Sequence, residues 1–511
     1  MNWSIVQSRQ SVVSLCALSV AVLSATLAGC NVGPKYVPPT MTAPAAFKES
    51  PAQFKETDGW IVAQPQDAAL RGKWWEIYNE PALNALEDEL NIDNQNIRQA
   101  FEHFMQARAM VREARSQYFP TVSVGGSYTR SQASANVGSA SSTGAASGQQ
   151  TQVFSFPADV SWEPDLWGRV RNTVRASQYT AQLTAADLEN ERLTEQASLA
   201  EFFFEIRGQD ALQKILDDTV QADKKALEIA KGLYATGVGD QIAVVEAQTT
   251  LESAESAAIN IGIARSQYEH AIAMLIGKAA STFSIPVEPR TSAPPPIPVG
   301  LPSQLLERRP DIAAAERNMA AANAQIGVAY AAFYPNLTLS GGGGLESSAI
   351  KHILDWPSRF WSVGPSISET VYDGGLRRAT VNQYIATYNA NVAAYRQSVL
   401  TAFQQVEDSL AAVRILSQQI LRQQEGVDSS RTFLRLELGR YENGIDPYID
   451  VVTAQTTLLS SQQSLTSLQV QQMTESVQLI EALGGGWDRS QLPTPPQTTQ
   501  KPAKSETAMQ H

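Results

Sequence analysis

Between Thr121 and Thr129 the chain alternates with a period of two: Val122, Val124 and Tyr128 share one side, and Thr121, Ser123, Ser127 and Thr129 the other. That is the pattern of a strand with two unlike faces. The alternation returns over 153–162, where Phe154, Phe156, Ala158, Val160 and Trp162 oppose Ser155, Asp159 and Ser161. It occurs twice more, at Leu337 and Leu339, and at Trp361, Val363, Ile367 and Val371 against Ser362, Ser366, Ser368 and Thr370. Each run is about ten residues, the length that crosses a bilayer when tilted, with one apolar and one small polar face. After each pair of strands the period changes. From Val381 through Tyr384, Tyr388, Val392, Tyr395 and Val399 to Ile420, apolar positions recur about every 3.5 residues, the spacing of a left-handed supercoil. This predicts long helices over 170–234 and 376–441. Each is closed by a glycine turn (Gly237, Gly444) and followed by a returning helix, over 241–276 and 448–483. Helices over 82–118 and 311–334 precede the strand pairs and stop at Pro120 and Pro335.

The two sets of elements are copies of one unit. VVEAQTTL (Val244 to Leu251) matches VVTAQTTL (Val451 to Leu458), and the register extends leftward without a gap, where LYATGVGDQI faces RYENGIDPYI. SQYFPTVSV pairs with AAFYPNLTL, and EPDLWGRVR with VYDGGLRRA. The first copy is longer between Pro120 and Asp165, where a Ser/Gly/Ala-rich loop over 131–150 absorbs the insertion at little cost. A tandem duplication follows: repeat 1 over 81–285 with its hairpin at 121–162, and repeat 2 over 310–486 with its hairpin at 336–372. A linker over 286–309 containing PPPIP joins them, and a polar tail over 487–511 has the composition of a disordered end.

The first 29 residues hold one basic residue, Arg9, no acid, and an apolar run ending in LAGC. They read as a signal peptide whose cleavage leaves Cys30 at the new terminus, the site of lipid attachment, followed by an extended segment over 30–80. The other cysteine, Cys16, lies inside the leader, so cysteine chemistry other than lipidation is excluded. The net charge is −12, which repels nucleic acid. No later segment is apolar for 18 consecutive residues, so bilayer entry would have to be through strands. Four strands cannot close a barrel, and open edges in lipid leave backbone groups unpaired. Two, three or four chains would together supply one barrel. A soluble sandwich is the competing reading, and the polar face of almost only Ser, Thr and Gly weighs against it.

The LAGC box, the duplicated plan and the tip patterns Tyr-x-x-Gly-Val (Tyr234 to Val238) and Tyr-x-x-Gly-Ile (Tyr441 to Ile445) together resemble the outer-membrane factor family. These are the TolC-like and OprM-like ducts, whose lipoprotein branch is often labelled NodT. RGKWWEIYNEPALNALE, LPSQLLERRPDIAAAE and YDGGLRR are similar to family segments, and the likeness covers residues 30 to 486. The resemblance implies an α+β membrane protein whose four transmembrane β-strands per chain join a homotrimeric twelve-strand barrel. Coiled helical hairpins would form a periplasmic α-barrel below it. The implied partners are a periplasmic adaptor (membrane fusion) protein, an inner-membrane pump of the resistance-nodulation-division type, and outer-membrane lipids. The implied function is a passive exit duct for small molecules such as drugs. A type I protein-secretion duct, a heavy-metal duct and a pore-less periplasmic coiled-coil lipoprotein are the alternatives.

No catalytic constellation, cofactor motif or metal-ligand spacing is present: His103, His270, His352 and His511 are scattered, and GGGG (Gly341 to Gly344) leaves a strand rather than entering a helix. Asp165 and Asp373 read as helix caps. Functional candidates gather at the tips. By resemblance Asp450 falls at an aperture acid, and Tyr441 falls on a tyrosine that latches the closed coil, although the acidic partner expected in the first copy is Ala243. Asp446, before Pro447, is a further tip acid expected to face solvent. Adaptor contact is expected at Thr236, Gly237 and Val238 and at Asn443, Gly444 and Ile445, with both glycines at positive φ.

Overall fold

The computed structural model describes residues 31–39, 44, 47–49, 72–132, 134, 150–297 and 305–500. The leader, Cys30 and most of the 131–150 loop lie outside the described residues. Strands β1 (Thr121–Val124), β2 (Ser127–Gln132), β3 (Gln150–Trp162), β4 (Asn336–Ser347) and β5 (Arg359–Ser368) form one antiparallel sheet. β1 and β2 both pair with β3, on successive stretches of it. The first expected strand is therefore interrupted at Gly125 and Gly126, and the sheet has four rows. β5 ends at Ser368, leaving Val371 beyond the strand.

Register sorts the residues by face. Val122, Val160, Gly341 and Val363 line up across the sheet, as do Val124, Ala158, Gly343 and Trp361. The next row holds Ser123, Asp159, Gly342 and Ser362 on the opposite face. The alternation seen in each strand thus becomes one apolar and one small polar surface.

Two helices, α1 (Pro81–Asp93) and α2 (Gln95–Ser116), stand where one was expected. Asn94 breaks the helix: with ψ of 126° it leaves the helical region, and its side chain accepts from Ile97 N–H. The same side chain donates to the Leu275 carbonyl at 2.9 Å and to Glu195. It thereby seats α2 on the end of a helix from much later in the chain.

The long helices α3 (Arg169–Ala235) and, after α5 (Pro310–Ala331), α6 (Leu376–Glu442) have 67 residues each. Their returning partners α4 (Gln241–Leu275) and α7 (Tyr448–Ala482) have 35 each. A 67-residue helix spans about 100 Å. The expected caps are in place: Asp165 accepts from Val170 and Arg171 N–H, and Asp373 from Gly375 and Arg377 N–H.

Helices pack side by side in the order α2, α3, α5, α6 near the sheet and α4, α3, α7, α6 toward the tips. Two stacked pairs make this possible. α2 sits on the end of α4 through Asn94, and α5 on the end of α7 through Arg309, which donates to the Ala482 carbonyl at 3.0 Å. Each junction turns on a glycine at positive φ, Gly277 and Gly484. A Cβ there would fall 2.6 Å from the Asp93 carbonyl oxygen or 2.2 Å from that of Arg308, so no side chain fits.

The main apolar cluster lies at this level: Trp74, Trp75 and Tyr78 with Leu199, Phe203, Ile272, Met473 and Val477. Trp74 and Tyr78 satisfy their polar atoms on Gln196 and Ser476, as buried aromatic donors require. The linker runs across the same cluster, where Arg207 holds the Pro286 carbonyl and Ile297 packs against it.

The tail expected to be disordered from 487 is ordered through residue 500. α8 (Pro495–Thr499) begins with a capping box at Thr494, Thr498 is fully buried, and Arg108 donates to the Gln500 carbonyl. A Thr-Pro-Pro-Gln start is a strong local helix signal that composition alone masks.

Candidate functional site

Two regions carry the functional candidates. The first is the apolar face of the sheet. Val122, Val124, Tyr128, Val160, Trp361, Val363 and Ile367 are all exposed, Val124 to 82% and Trp361 to 80%. An exposed apolar surface of this extent, continuous across four rows, marks contact with another apolar phase. Among the described residues no helix is long and apolar enough to cross a membrane.

The second region is the pair of tips, about one long helix away. Both long helices end in the same hydrogen-bonded cap. Gly237 N–H reaches Tyr234 O and Val238 N–H reaches Leu233 O; Gly444 N–H reaches Tyr441 O and Ile445 N–H reaches Arg440 O. This double bond with a left-handed glycine is the Schellman arrangement, and φ is +77° at Gly237 and +70° at Gly444. The turns present exposed apolar residues, Val238 (68%) and Ile445 (64%), flanked by Ile242 and Ile449. Thr236 and Asn443 spend their side chains on the helix ends, on the carbonyls of Leu233 and Gly439.

The tips differ in charge. Asp446, expected to face solvent, is instead held by two hydrogen bonds from Arg440, one of 2.9 Å. That guanidinium keeps the Asp446 carboxyl below its ordinary range. Oxygens of Glu437, Asp446 and Asp450 lie within 4.8 Å of one another. Asp450 is therefore one of three clustered acids, and one of the three is already paired. Glu437 and Arg440 were not anticipated from sequence, although each lies within a turn of Tyr441.

Tyr441 is buried, and its ring meets Tyr448 edge-on with centroids 5.1 Å apart. Both belong to an apolar cluster with Leu227, Ala243, Ala247 and Val451, drawn from both hairpins. Ala243 thus gives Tyr441 a packing partner where an acid had been expected. Among the described residues neither tyrosine hydroxyl has a hydrogen-bond partner, nor has one oxygen of Asp223. Burial raises the pKa of both hydroxyls, and the charge of Asp240 adds to the effect at Tyr441. The seam between the hairpins is closed by packing and leaves polar atoms unpaired, which weakens it.

The family model described as "Outer membrane efflux protein" matches residues 86–278 and 301–485. A probable efflux pump outer membrane protein of Pseudomonas putida, TtgC, is 31% identical over 479 residues, covering 92% of this chain and 95% of the relative. The outer membrane protein OprJ of Pseudomonas aeruginosa is 30% identical over 478 residues, covering 92% and 96%. A solved structure of the outer-membrane channel OprN superposes with a TM-score of 0.80 at 27% identity, covering 90% of this chain and all of that one.

Proposed function

The chain belongs to the outer-membrane efflux protein family and is an outer-membrane exit duct of efflux, a premise from which we propose how it assembles and what it docks. Three chains join their four-row sheets into one closed twelve-strand barrel, because an open sheet edge in lipid leaves backbone donors and acceptors unpaired. The observation that carries this reading is the exposed apolar face of the sheet, set opposite a face made mostly of Ser, Thr and Gly that also carries Asp159 and Glu346. The small polar face lines the bore and the apolar face meets lipid. Cys30 carries the lipid that anchors the mature terminus.

The helical hairpins continue the duct into the periplasm. Their exposed Val238 and Ile445, held on rigid glycine turns, dock a periplasmic adaptor that links the duct to an inner-membrane pump of the resistance-nodulation-division type. Thr236, Gly237, Asn443 and Gly444 shape that surface. The cargo is small molecules: relatives of this chain carry names such as toluene efflux pump and antibiotic efflux pump outer membrane protein. At the aperture, Asp450 of each chain faces its symmetry copies, and the ring favours cations.

Single-channel recording on the purified protein in a planar bilayer tests this. The expected record has discrete, cation-selective steps, and Asp450→Ala lowers the selectivity while assembly is unchanged. A protein that inserts without conductance steps contradicts the duct reading, and wild-type selectivity in the variant removes Asp450 from the aperture.

A further inference from the structure

One end of the sheet is fixed by helices: β1 follows α2, β3 leads into α3, β4 follows α5 and β5 leads into α6. The opposite end is where β2 stops, β3 starts, and β4 passes to β5 through residues 348–358. With the helices in the periplasm, this end meets the outer leaflet of the membrane.

Register shows what the apolar face becomes there. The row of Phe156, Leu345 and Arg359 is followed by Tyr128 and Phe154, whose rings lie 4.7 Å apart, and then by Arg130 and Gln152. A face that is apolar from Ile367 onward therefore turns polar and basic at this end. From Ile367 to Arg359 β5 runs about 27 Å, and the apolar band of a membrane barrel is about 25 Å tall. Arg359 thus stands at the outer edge of the band.

The charge at this edge is one-sided. Arg359 lies over the ring of Trp356, 3.8 Å from its centroid, and Trp356 and Leu354 are exposed to 75% and 79%. Arg130 donates to Gln150 Oε1 at 2.7 Å. Among the described residues neither guanidinium has an ion-pair partner. Residues 348–358 also carry Lys351, and their one acid, Asp355, is engaged by His352 Nδ1 at 2.8 Å. Residues 131–150 hold no charged side chain, and Glu346 opposes Ser155 on the other face.

A tryptophan at a membrane boundary puts its ring among the acyl chains and headgroups. A guanidinium stacked on it presents a planar fork that matches phosphate oxygens. Charge complementarity then selects an anionic lipid over a zwitterionic one. We propose that the outer rim of the apolar face binds the phosphate groups of an anionic outer-leaflet lipid, through Arg359 on Trp356 and through Arg130, with acyl chains along Trp361 and Val363. This rests on the apolar face meeting lipid, and it adds which lipid meets the rim.

Native mass spectrometry of the full-length protein in mixed micelles with diphosphoryl lipid A tests the proposal, with single-channel recording on the same samples. Saturable retention of lipid A is expected, and Arg130→Gln/Arg359→Gln should weaken it at least tenfold. Lys214→Gln, which removes an exposed cation on α3, should leave it unchanged. Arg359→Lys keeps the charge but loses the fork; it should weaken retention several-fold and keeps the test open should the double variant fail to assemble. Phosphatidylethanolamine should be retained at least tenfold more weakly, and inorganic phosphate should not displace lipid A. Wild-type channels that retain lipid A no better than phosphatidylethanolamine overturn the ligand class, as does displacement by inorganic phosphate. A conducting double variant with wild-type retention overturns the residues. In each of these results the conductance steps show the duct reading still standing.

Discussion

Helices α3 and α6 are copies of equal length, yet they live in different surroundings. α3 packs against α2, α4, α5 and α7, and its only strongly exposed large apolar residue is Tyr234 near the tip. α6 packs against α5 and α7 and, through Val406, Leu410 and Arg414, against the short segment at Phe47–Glu49, and it exposes Leu400, Ile415, Leu421, Phe433 and Leu436. The returning helices show the reverse: α7 is inner and exposes Ile449 at its tip, whereas α4 is at the edge and exposes Val245, Ile259 and Ile263. Duplication copied length and turn chemistry, and position in the array then decided which copy buries its apolar stripe. The two edges are complementary in kind, each apolar and unpaired, as expected where α4 of one chain meets α6 of the next.

The comparison breaks most severely at the edges. Ile259→Asp or Leu421→Asp should place an unpaired charge in the chain-to-chain contact at a cost of about 3–5 kcal/mol, and the oligomer should dissociate on size exclusion with helix content retained. A wild-type elution volume would show that these edges face solvent. Next in size is the sheet. Val363→Arg on the apolar face should cost about 2–4 kcal/mol in a bilayer and reduce membrane insertion, while Ser362→Arg, one residue along on the other face, should insert normally. Equal insertion of the two would erase the distinction between faces.

Asp223 sharpens the picture of the seam, because its burial pushes its pKa from 3.8 up to about 6. The folded state holds this proton more tightly than the unfolded one, so stability should fall as pH rises from about 4 to about 6 and then level off. The full effect is about 3 kcal/mol. The thermal midpoint followed against pH should show this fall, and Asp223→Asn should flatten it; an identical profile in the variant would assign the dependence elsewhere. The smallest effect is at Tyr448. Phenylalanine there removes a buried hydroxyl without a partner and should tighten the seam by about 1 kcal/mol, read as a lower open probability in single-channel records. An unchanged open probability would mean that the seam does not gate.

Much of this architecture was legible because it is written locally. Period-two and period-3.5 runs, Pro120, Pro335, Gly237 and Gly444 fix where strands and helices begin and end, and the repeated octapeptide aligns the copies. What was missed depends on residues far apart in sequence. Asn94 breaks a helix by reaching Leu275 and Glu195, and nothing nearby in the sequence announces those partners. The pairing of Asp446 with Arg440 follows from the turn geometry around Gly444 rather than from Asp446 itself. The cavity beside the α5–α7 junction gathers carboxylates from α3, α6 and α7, each of which reads alone as a solvated helix position. Tyr441 was found through resemblance, but its burial against Tyr448 needed the two hairpins side by side.

The claim that three chains close one duct through their edge helices is tested most directly by cross-linking. Ile263 and Leu421 lie at similar distances from the tips on the two edge helices, and no thiol other than lipidated Cys30 is expected in the mature chain. With Ile263→Cys and Leu421→Cys in one chain, oxidation in membranes should produce a covalent ladder of two and then three chains that stops there. A chain that remains monomeric on oxidation, or a ladder that runs past three, would contradict the account.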